Sequence, residues 1–177
     1  VITSLSVKTH SVIIGRPGYL PWTKDVVIQP NATVTLEPIF VTQNATGQLV
    51  TKNDPEYWKL RSDIERSSLP TETNPRVLGK DTLWVSNNTV YMKRGSIQKA
   101  IITPIDAVRS LDFYKDRTDV IIFASDTGVY ALDAIENAAE NKANFLPIYK
   151  GVKPIFLKTD NAFLYVQDGE NLISVVI

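Results

Sequence analysis

The clearest pattern in the chain is an apolar run, a short polar turn and a second apolar run, which occurs three times. The sharpest copy is residues 119–133, which read DVIIFASDTGVYALD. The other two are DTLWVSNNTVYMK over 81–93 and NAFLYVQDGENLISVVI over 161–177. Two apolar runs of strand length around a turn rich in Asn, Asp and Gly are typical of a β-hairpin. The sequence therefore predicts three hairpins.

The hairpins recur at a spacing near 40 residues, since their starts differ by 119 − 81 = 38 and 161 − 119 = 42 positions. This period predicts four-stranded, propeller-like blades. In the middle unit we expect strands at 109–114, 120–124, 129–132 and 145–149, with a short inserted helix within 133–144. Residues 120–124 are apolar at both parities, which indicates a strand covered on both faces.

The third unit ends after its third strand, so we expect an incomplete ring whose last blade has an unpaired edge. Closed propellers have typically 4–8 blades, whereas the pattern here gives two complete units and part of another. Exposed strand edges pair readily with other chains. The sequence thus predicts a protein partner or self-association through blade edges.

Residues 1–42 have the pattern of a small antiparallel β-module. Apolar segments at 11–14 and 25–28 flank a turn at 16–18, and a third strand is predicted at 32–36, where polar and apolar residues alternate with period 2. Gly18 is expected to take a positive φ, with Tyr19 and Trp22 packed at the corner between two strands.

The run HSVIIGRPGYLPWTKDVVIQPNATVTLEP over 10–38 resembles the second half of a PEGA domain. The first half of that family's pattern, with its Pro-Glu-Gly-Ala motif, is not in this sequence. The resemblance implies a bacterial cell-envelope protein in which a PEGA-like module at 1–42 precedes propeller-like repeats. The matching residues are Val12, Ile14, Arg16, Gly18, Tyr19, Pro21, Trp22, Lys24, Val26 and Ile28.

Residues 43–75 are predicted to be a linker that contains one helix, before propeller-like repeats at 76–177. Asp54-Pro55-Glu56 has the residues that favour a helix start, and an apolar stripe follows at i, i+3 and i+7. Trp58 lies about 100° around the helix from Tyr57. It either packs under the polar connection at 43–53 or forms a contact patch. The candidate patch is Tyr57, Trp58 and Arg61.

Composition narrows the function classes. Lys plus Arg and Asp plus Glu number 19 each, so no field of one sign favours nucleic acid. The absence of cysteine excludes disulfides, thiolate catalysis and zinc–thiolate sites. One histidine, His10, cannot by itself make a histidine-rich metal site, and no spacing identifies a triad partner for it. We expect no metal and no cofactor.

Asp126-Thr127-Gly128 is the one tripeptide with a catalytic precedent, because Asp-Thr-Gly carries the carboxylate of aspartic proteases. That chemistry needs two carboxylates that share a proton, and the sequence has no second copy. The alternative is a hairpin turn in which Asp126 accepts backbone N–H bonds and Gly128 takes a positive φ.

These observations predict a non-enzymatic scaffold or protein-interaction module of mainly β structure. With the resemblance they imply an extracytoplasmic, cell-envelope location and a membrane anchor outside the sequence. One alternative is a module that binds glycan or cell wall through Tyr19, Trp22, Trp58 or Trp84. The other is a dimeric aspartic protease built on Asp126.

Overall fold

The computed structural model describes residue 2 and residues 4–41, 47–134 and 145–177. This part of the chain contains 14 strands, paired antiparallel in four sheets, and one α-helix. The prediction of a mainly β fold is therefore confirmed. The chain divides into two compact units, 1–44 and 45–177. The finer predicted division at 42 and 75 stays a prediction.

The first unit contains a two-stranded sheet, in which β1 (Thr9–Ile14) pairs with β2 (Trp22–Val27). Gly18 lies between the strands with φ +81°, as expected. The predicted third strand at 32–36 is wrong, because residues 28–41 contain no strand. Ile39 and Val41 supply the buried side chains instead. An alternating pattern makes a strand only where a neighbouring edge can pair with its backbone groups.

The second unit begins with β3 (Gln48–Val50) and α1 (Tyr57–Arg66). Tyr57, Leu60 and Ile64 form the predicted apolar stripe, and all three are buried. The helix begins later than predicted, with Glu56 at its N-cap. The Asp54 carboxylate instead accepts hydrogen bonds from the backbone N–H of Thr51 at 2.6 Å and from its hydroxyl at 3.0 Å, which closes a turn before the helix.

Three four-stranded sheets make up the rest of this unit. In spatial order, the first sheet is β4 (Arg76–Leu78), β5 (Asp81–Ser86), β6 (Thr89–Arg94) and β7 (Ile97–Ile102). The second sheet is β8 (Ser110–Phe113), β9 (Val120–Ser125), β10 (Gly128–Asp133) and β11 (Leu146–Lys150). The third sheet is β12 (Ile155–Lys158), β13 (Phe163–Asp168), β14 (Asn171–Val176) and then β3. The three predicted hairpins are thus confirmed as β5–β6, β9–β10 and β13–β14.

The prediction that the third unit lacks a fourth strand is wrong, because β3 takes that place. It pairs antiparallel with β14, with Val50 opposite Leu172 and Gln48 opposite Ser174. The polar connection predicted at 43–53 therefore contains a strand that joins the start of this unit to its last hairpin. Within the described residues, the sheets form no closed barrel or closed ring.

The first and second sheets share an apolar core. Its buried members include Leu83, Val90, Met92, Ile101, Leu111, Phe113, Ile121, Phe123 and Leu132. Every residue from 120 to 124 is at most 2% exposed, so the strand predicted to be covered on both faces is indeed covered. The short helix was predicted within the insertion at 133–144, of which Asp133 belongs to β10 and residues 135–144 lie outside the described residues.

The third sheet is covered on one face by α1, whose apolar stripe packs on Leu172, Val50 and Tyr165. At the other end of the unit, β8 contacts both β4 and β12, so the first strands of the three sheets lie side by side. The segment that leaves α1 returns to the first sheet, where the N–H of Val85 donates to the carbonyl of Pro70 at 2.9 Å. The chain between α1 and β4 therefore contacts the first sheet.

Candidate functional site

The candidate contact patch lies on α1, and its three residues have different exposures. Tyr57 is 3% exposed and belongs to the core under the helix. Trp58 is 63% exposed, so it does not pack under the connection before the helix. The two rings meet edge to face, with centroids 5.0 Å apart and planes at 88°. Tyr57 therefore supports the indole of Trp58 from below.

Arg61 is held in place by groups from two elements. Its Nη1 donates to the hydroxyl of Tyr57 at 3.1 Å and to the carbonyl of Glu170 at 3.3 Å. Its guanidinium also lies 3.6 Å from the carboxylates of Glu65 and Glu170. With its side chain only 18% exposed, Arg61 connects α1 to the β13–β14 turn. The exposed part of the patch is therefore Trp58 itself.

The other aromatic residues considered for glycan stacking offer less of their rings to solvent. Trp22 is 1% exposed, and Trp84 is 4% exposed and stacks on Tyr91 with centroids 5.8 Å apart. Tyr19 is half-buried, with the Arg16 guanidinium 4.6 Å from its ring centroid. Tyr19 and Trp58 belong to different units. Of the four residues predicted for glycan stacking, only Trp58 exposes most of its side chain to solvent.

Asp126 lies in the β9–β10 turn, as the non-catalytic alternative predicts, but the hydrogen bond to its carboxylate comes from a side chain instead of the predicted backbone N–H groups. Its Oδ1 accepts from Nε of Arg109 at 2.5 Å, an ion pair. A shared-proton dyad instead needs a second carboxylate beside the first. The expectation of a positive φ at Gly128 is wrong. Glycine is needed for space, because a Cβ there would lie 2.3 Å from the carbonyl oxygen of Tyr149.

His10 and the acidic residues form no recognisable reactive group in the described part of the chain. The Nε2 of His10 lies 2.9 Å from the carbonyl oxygen of Ser6, a local contact within an exposed segment. Among the described residues, no three of the His, Cys, Asp and Glu side chains lie together as metal ligands would. The same part of the chain contains no helix long and apolar enough to cross a membrane.

A polar cleft of about 70 Å³, which we call the central cleft, lies where the first strands of the three sheets meet the end of α1. One cation lies on or immediately before the first strand of each sheet. The polar lining consists of Arg76, Arg109, Lys158, Asp112, Ser67, Ser68 and Ser110. Sequence reasoning missed this site, although a cation on or beside the first strand of each unit was the available signal.

Comparison with known proteins finds no matching family model, curated protein or solved structure. The prediction that residues 10–38 belong to the PEGA family is therefore wrong. Its Gly-Tyr-x-Pro-Trp segment has a local explanation, in which Gly18 reverses the chain and Trp22 fills the core of the first unit. Unrelated β-hairpins require the same reversal of the chain, so a short corner motif of this kind does not identify a family. The envelope location, which followed from the resemblance, stays a prediction.

Proposed function

We propose that this chain is a non-enzymatic protein-interaction module whose binding surface is centred on Trp58. The observation that carries the proposal is the 63% exposure of this indole on a helix whose opposite side is fixed to the third sheet. Tryptophan is enriched among the few residues that dominate binding energy at protein interfaces. A buried tryptophan removes roughly 150–250 Å² of surface from water.

The support beneath Trp58 favours recognition by a preformed surface. Tyr57 is buried under the indole, and Arg61 is fixed by Tyr57, Glu65 and Glu170. Because these neighbours are already ordered, the surface would lose little conformational freedom when a partner binds. The surrounding helix surface is charged in both signs, with Lys59, Glu65 and Arg66 exposed. The partner we propose is a protein with an apolar pocket for one indole and a polar rim.

We also propose that the three sheets are propeller-like blades that form the scaffold for this surface. The proposal is supported by the near-40-residue period, the four-stranded sheets and the adjacency of their first strands. Their outer strands are β7, β11 and β3. Self-association through these outer edges is the second form that the proposed partner could take, since strand edges pair with further strands.

Affinity capture from the source cells, with quantitative identification of the captured proteins, tests the proposal. We expect at least one partner to bind the unmodified chain and to be lost with Trp58→Ala, with an affinity at least about 30-fold weaker when measured on purified components. Val152→Ala is the matched control, because Val152 is 74% exposed and lies far from α1 in the sequence, at the β11–β12 connection. It should leave capture unchanged.

The alternatives give different results in the same experiment. If the partner is a second copy of the chain, sedimentation will show an oligomer that Trp58→Ala dissociates. If the ligand is a glycan, a polysaccharide rather than a protein will be retained, and Trp58→Ala will abolish its retention. The proposal fails if Trp58→Ala, verified as folded by circular dichroism, captures the same proteins with the same affinity.

A further inference from the structure

We propose that the central cleft is a binding site for a small tetrahedral oxyanion of the phosphate class. Its lining contains three cations, Arg76, Arg109 and Lys158, and one carboxylate, that of Asp112. Arg76 and Lys158 lie on β4 and β12, Arg109 immediately precedes β8, and residues after α1 complete the lining. The site is separate from the Trp58 surface, and it stands or falls independently of the protein-interaction proposal.

The cations retain more hydrogen-bond donors than their protein partners use. Arg76 lies 3.7 Å from the Asp112 carboxylate, which is beyond hydrogen-bond distance. Arg109 contributes its Nε to Asp126, and its terminal nitrogens carry four further N–H groups. Lys158 Nζ donates to the carbonyls of Phe113 at 3.0 Å and Lys115 at 2.8 Å, and an ammonium group has three donors. Among the described residues, the cleft is therefore richer in donors than in acceptors.

Serine hydroxyls add neutral donors to the same lining. The oxygen of Ser110, a residue 7% exposed, accepts from the backbone N–H of Phe156 at 3.0 Å, which leaves its own O–H to donate. Ser68, which follows the end of α1, also belongs to the lining. The hydroxyl of Ser67 donates to the carbonyl of Ile64 and serves the helix end instead. A ligand in the cleft would thus meet charged and neutral donors together.

The number of separate donors in the lining favours a tetrahedral ligand over a planar carboxylate. A single guanidinium fork satisfies a carboxylate in one plane. Here the donors belong to separate segments of the chain, so an anion with four oxygen acceptors can satisfy more of them than a carboxylate with two. The partial burial of Arg109 and Lys158 strengthens their attraction for such an anion relative to an exposed pair.

The cleft is large enough for one such group. Its volume of about 70 Å³ is several times the roughly 10–15 Å³ that one water needs by the same measure. Arg76 has 44% of its side chain exposed, so the site communicates with solvent on that side. The ligand is therefore either free phosphate or the terminal phosphate of a larger molecule that remains outside.

Isothermal titration calorimetry with inorganic phosphate, in about 0.15 M chloride, tests the site directly. We expect saturable binding that is weakened roughly tenfold or more by Arg76→Gln, because a charged donor is lost. Arg66→Gln is the matched control, since it removes the same charge from a side chain that is 72% exposed and not part of the lining. Asp112→Asn should tighten binding by about two- to tenfold, because it removes the carboxylate that competes with the ligand.

Two further titrations identify the source of the group. Glycerol phosphate will bind as well as inorganic phosphate if the site accepts a terminal phosphate, and more weakly if it encloses the free anion. Acetate should bind much more weakly than either, and equal affinity for acetate would overturn the tetrahedral assignment. The site itself is refuted if inorganic phosphate gives no binding heat up to about 10 mM, or if Arg76→Gln and Arg66→Gln weaken binding equally.

Discussion

Gly128 provides the sharpest test of how the central hairpin is built. It follows the Asp126-Thr127 turn and pairs with Lys150 at the start of the β10–β11 ladder. Its φ is not positive, so backbone conformation does not require glycine here. A Cβ would instead lie 2.3 Å from the carbonyl oxygen of Tyr149. We predict that any side chain at this position destabilises the second unit.

The magnitude follows from the overlap. A carbon and a carbonyl oxygen in close contact are normally about 3.3–3.6 Å apart, so Gly128→Ala creates an overlap of about 1 Å. The obstacle is backbone, and β11 must therefore move away from β10. Overpacking of this kind costs about 1–3 kcal/mol, and a lost ladder hydrogen bond adds about 1 kcal/mol. We expect a decrease of about 2–4 kcal/mol in the free energy of unfolding.

Gly95 is the matched control, because it has φ +59° and no atom within 4 Å of an added Cβ. There Ala costs about 1–2 kcal/mol of backbone strain, and Asn costs less, since Asn tolerates the left-handed region. At Gly128 the order should reverse, with Asn at least as costly as Ala because it is larger. Urea unfolding of the four variants, followed by circular dichroism, measures these differences. If Gly128→Asn is more stable than Gly128→Ala, the steric explanation is wrong.

Two further predictions concern side chains that connect neighbouring sheets. Asn88, in the β5–β6 turn, donates to the carbonyls of residues 104 and 106 and accepts from the N–H of residue 108. Asn88→Gly keeps the positive φ but loses these bonds, so it should lower the free energy of unfolding in urea by about 2–3 kcal/mol. Asn87→Gly should be nearly neutral, and equal effects of the two variants would contradict this prediction. Burial, the larger cause, and the hydrogen bond to Asp168 together raise the pKa of Tyr149 to about 12. Because the neutral phenol is favoured in the fold, this stabilisation is fully present below about pH 10 and is lost as the pH rises toward 12. Absorbance titration should show Tyr149 titrating late together with Tyr114, whose pKa burial also raises. Asp168→Asn should lower the pKa of Tyr149 only in part, since burial remains; an unchanged titration would refute the assigned partner.

The hairpins were predictable because the information for each one lies within about 15 residues. Asn87 and Asn88 both have positive φ, as a two-residue turn of this type requires. Asn is one of the residues that favour such turns, so the sequence itself indicated the turn. Residues 120–124 predicted burial on both faces of the strand, because neither set of alternate positions is polar. The apolar stripe of α1 was equally local. In each case the neighbours in sequence are also the neighbours in space.

The failures have the opposite character, because each depends on partners that are remote in sequence. The three residues of β3 are too short to show a period, and their partner strand begins more than 100 positions later. Residues 32–36 had the period of a strand but pair with neither edge of the two-stranded sheet. The central cleft collects Arg76, Arg109 and Lys158 from three units, and no local pattern states that their first strands are adjacent. All three depend on how distant strands are connected and paired, which the structural preferences of local residues do not specify.

The connection from β3 to β4 is where this topology is fixed. Over 48–75 the chain first adds β3 to the last hairpin, then covers the third sheet with α1, and then returns to the first sheet through Pro70. One connection thus contacts both the first and the last sheet of the unit, and it also carries Trp58 and contributes Ser67 and Ser68 to the central cleft. Because this connection joins the sheets, carries Trp58 and supplies part of the cleft lining, an alteration in β3 or α1 can affect both proposed surfaces through the fold. Variants at Trp58 and Arg76, which change side chains without changing this path, are therefore the ones that separate binding from architecture.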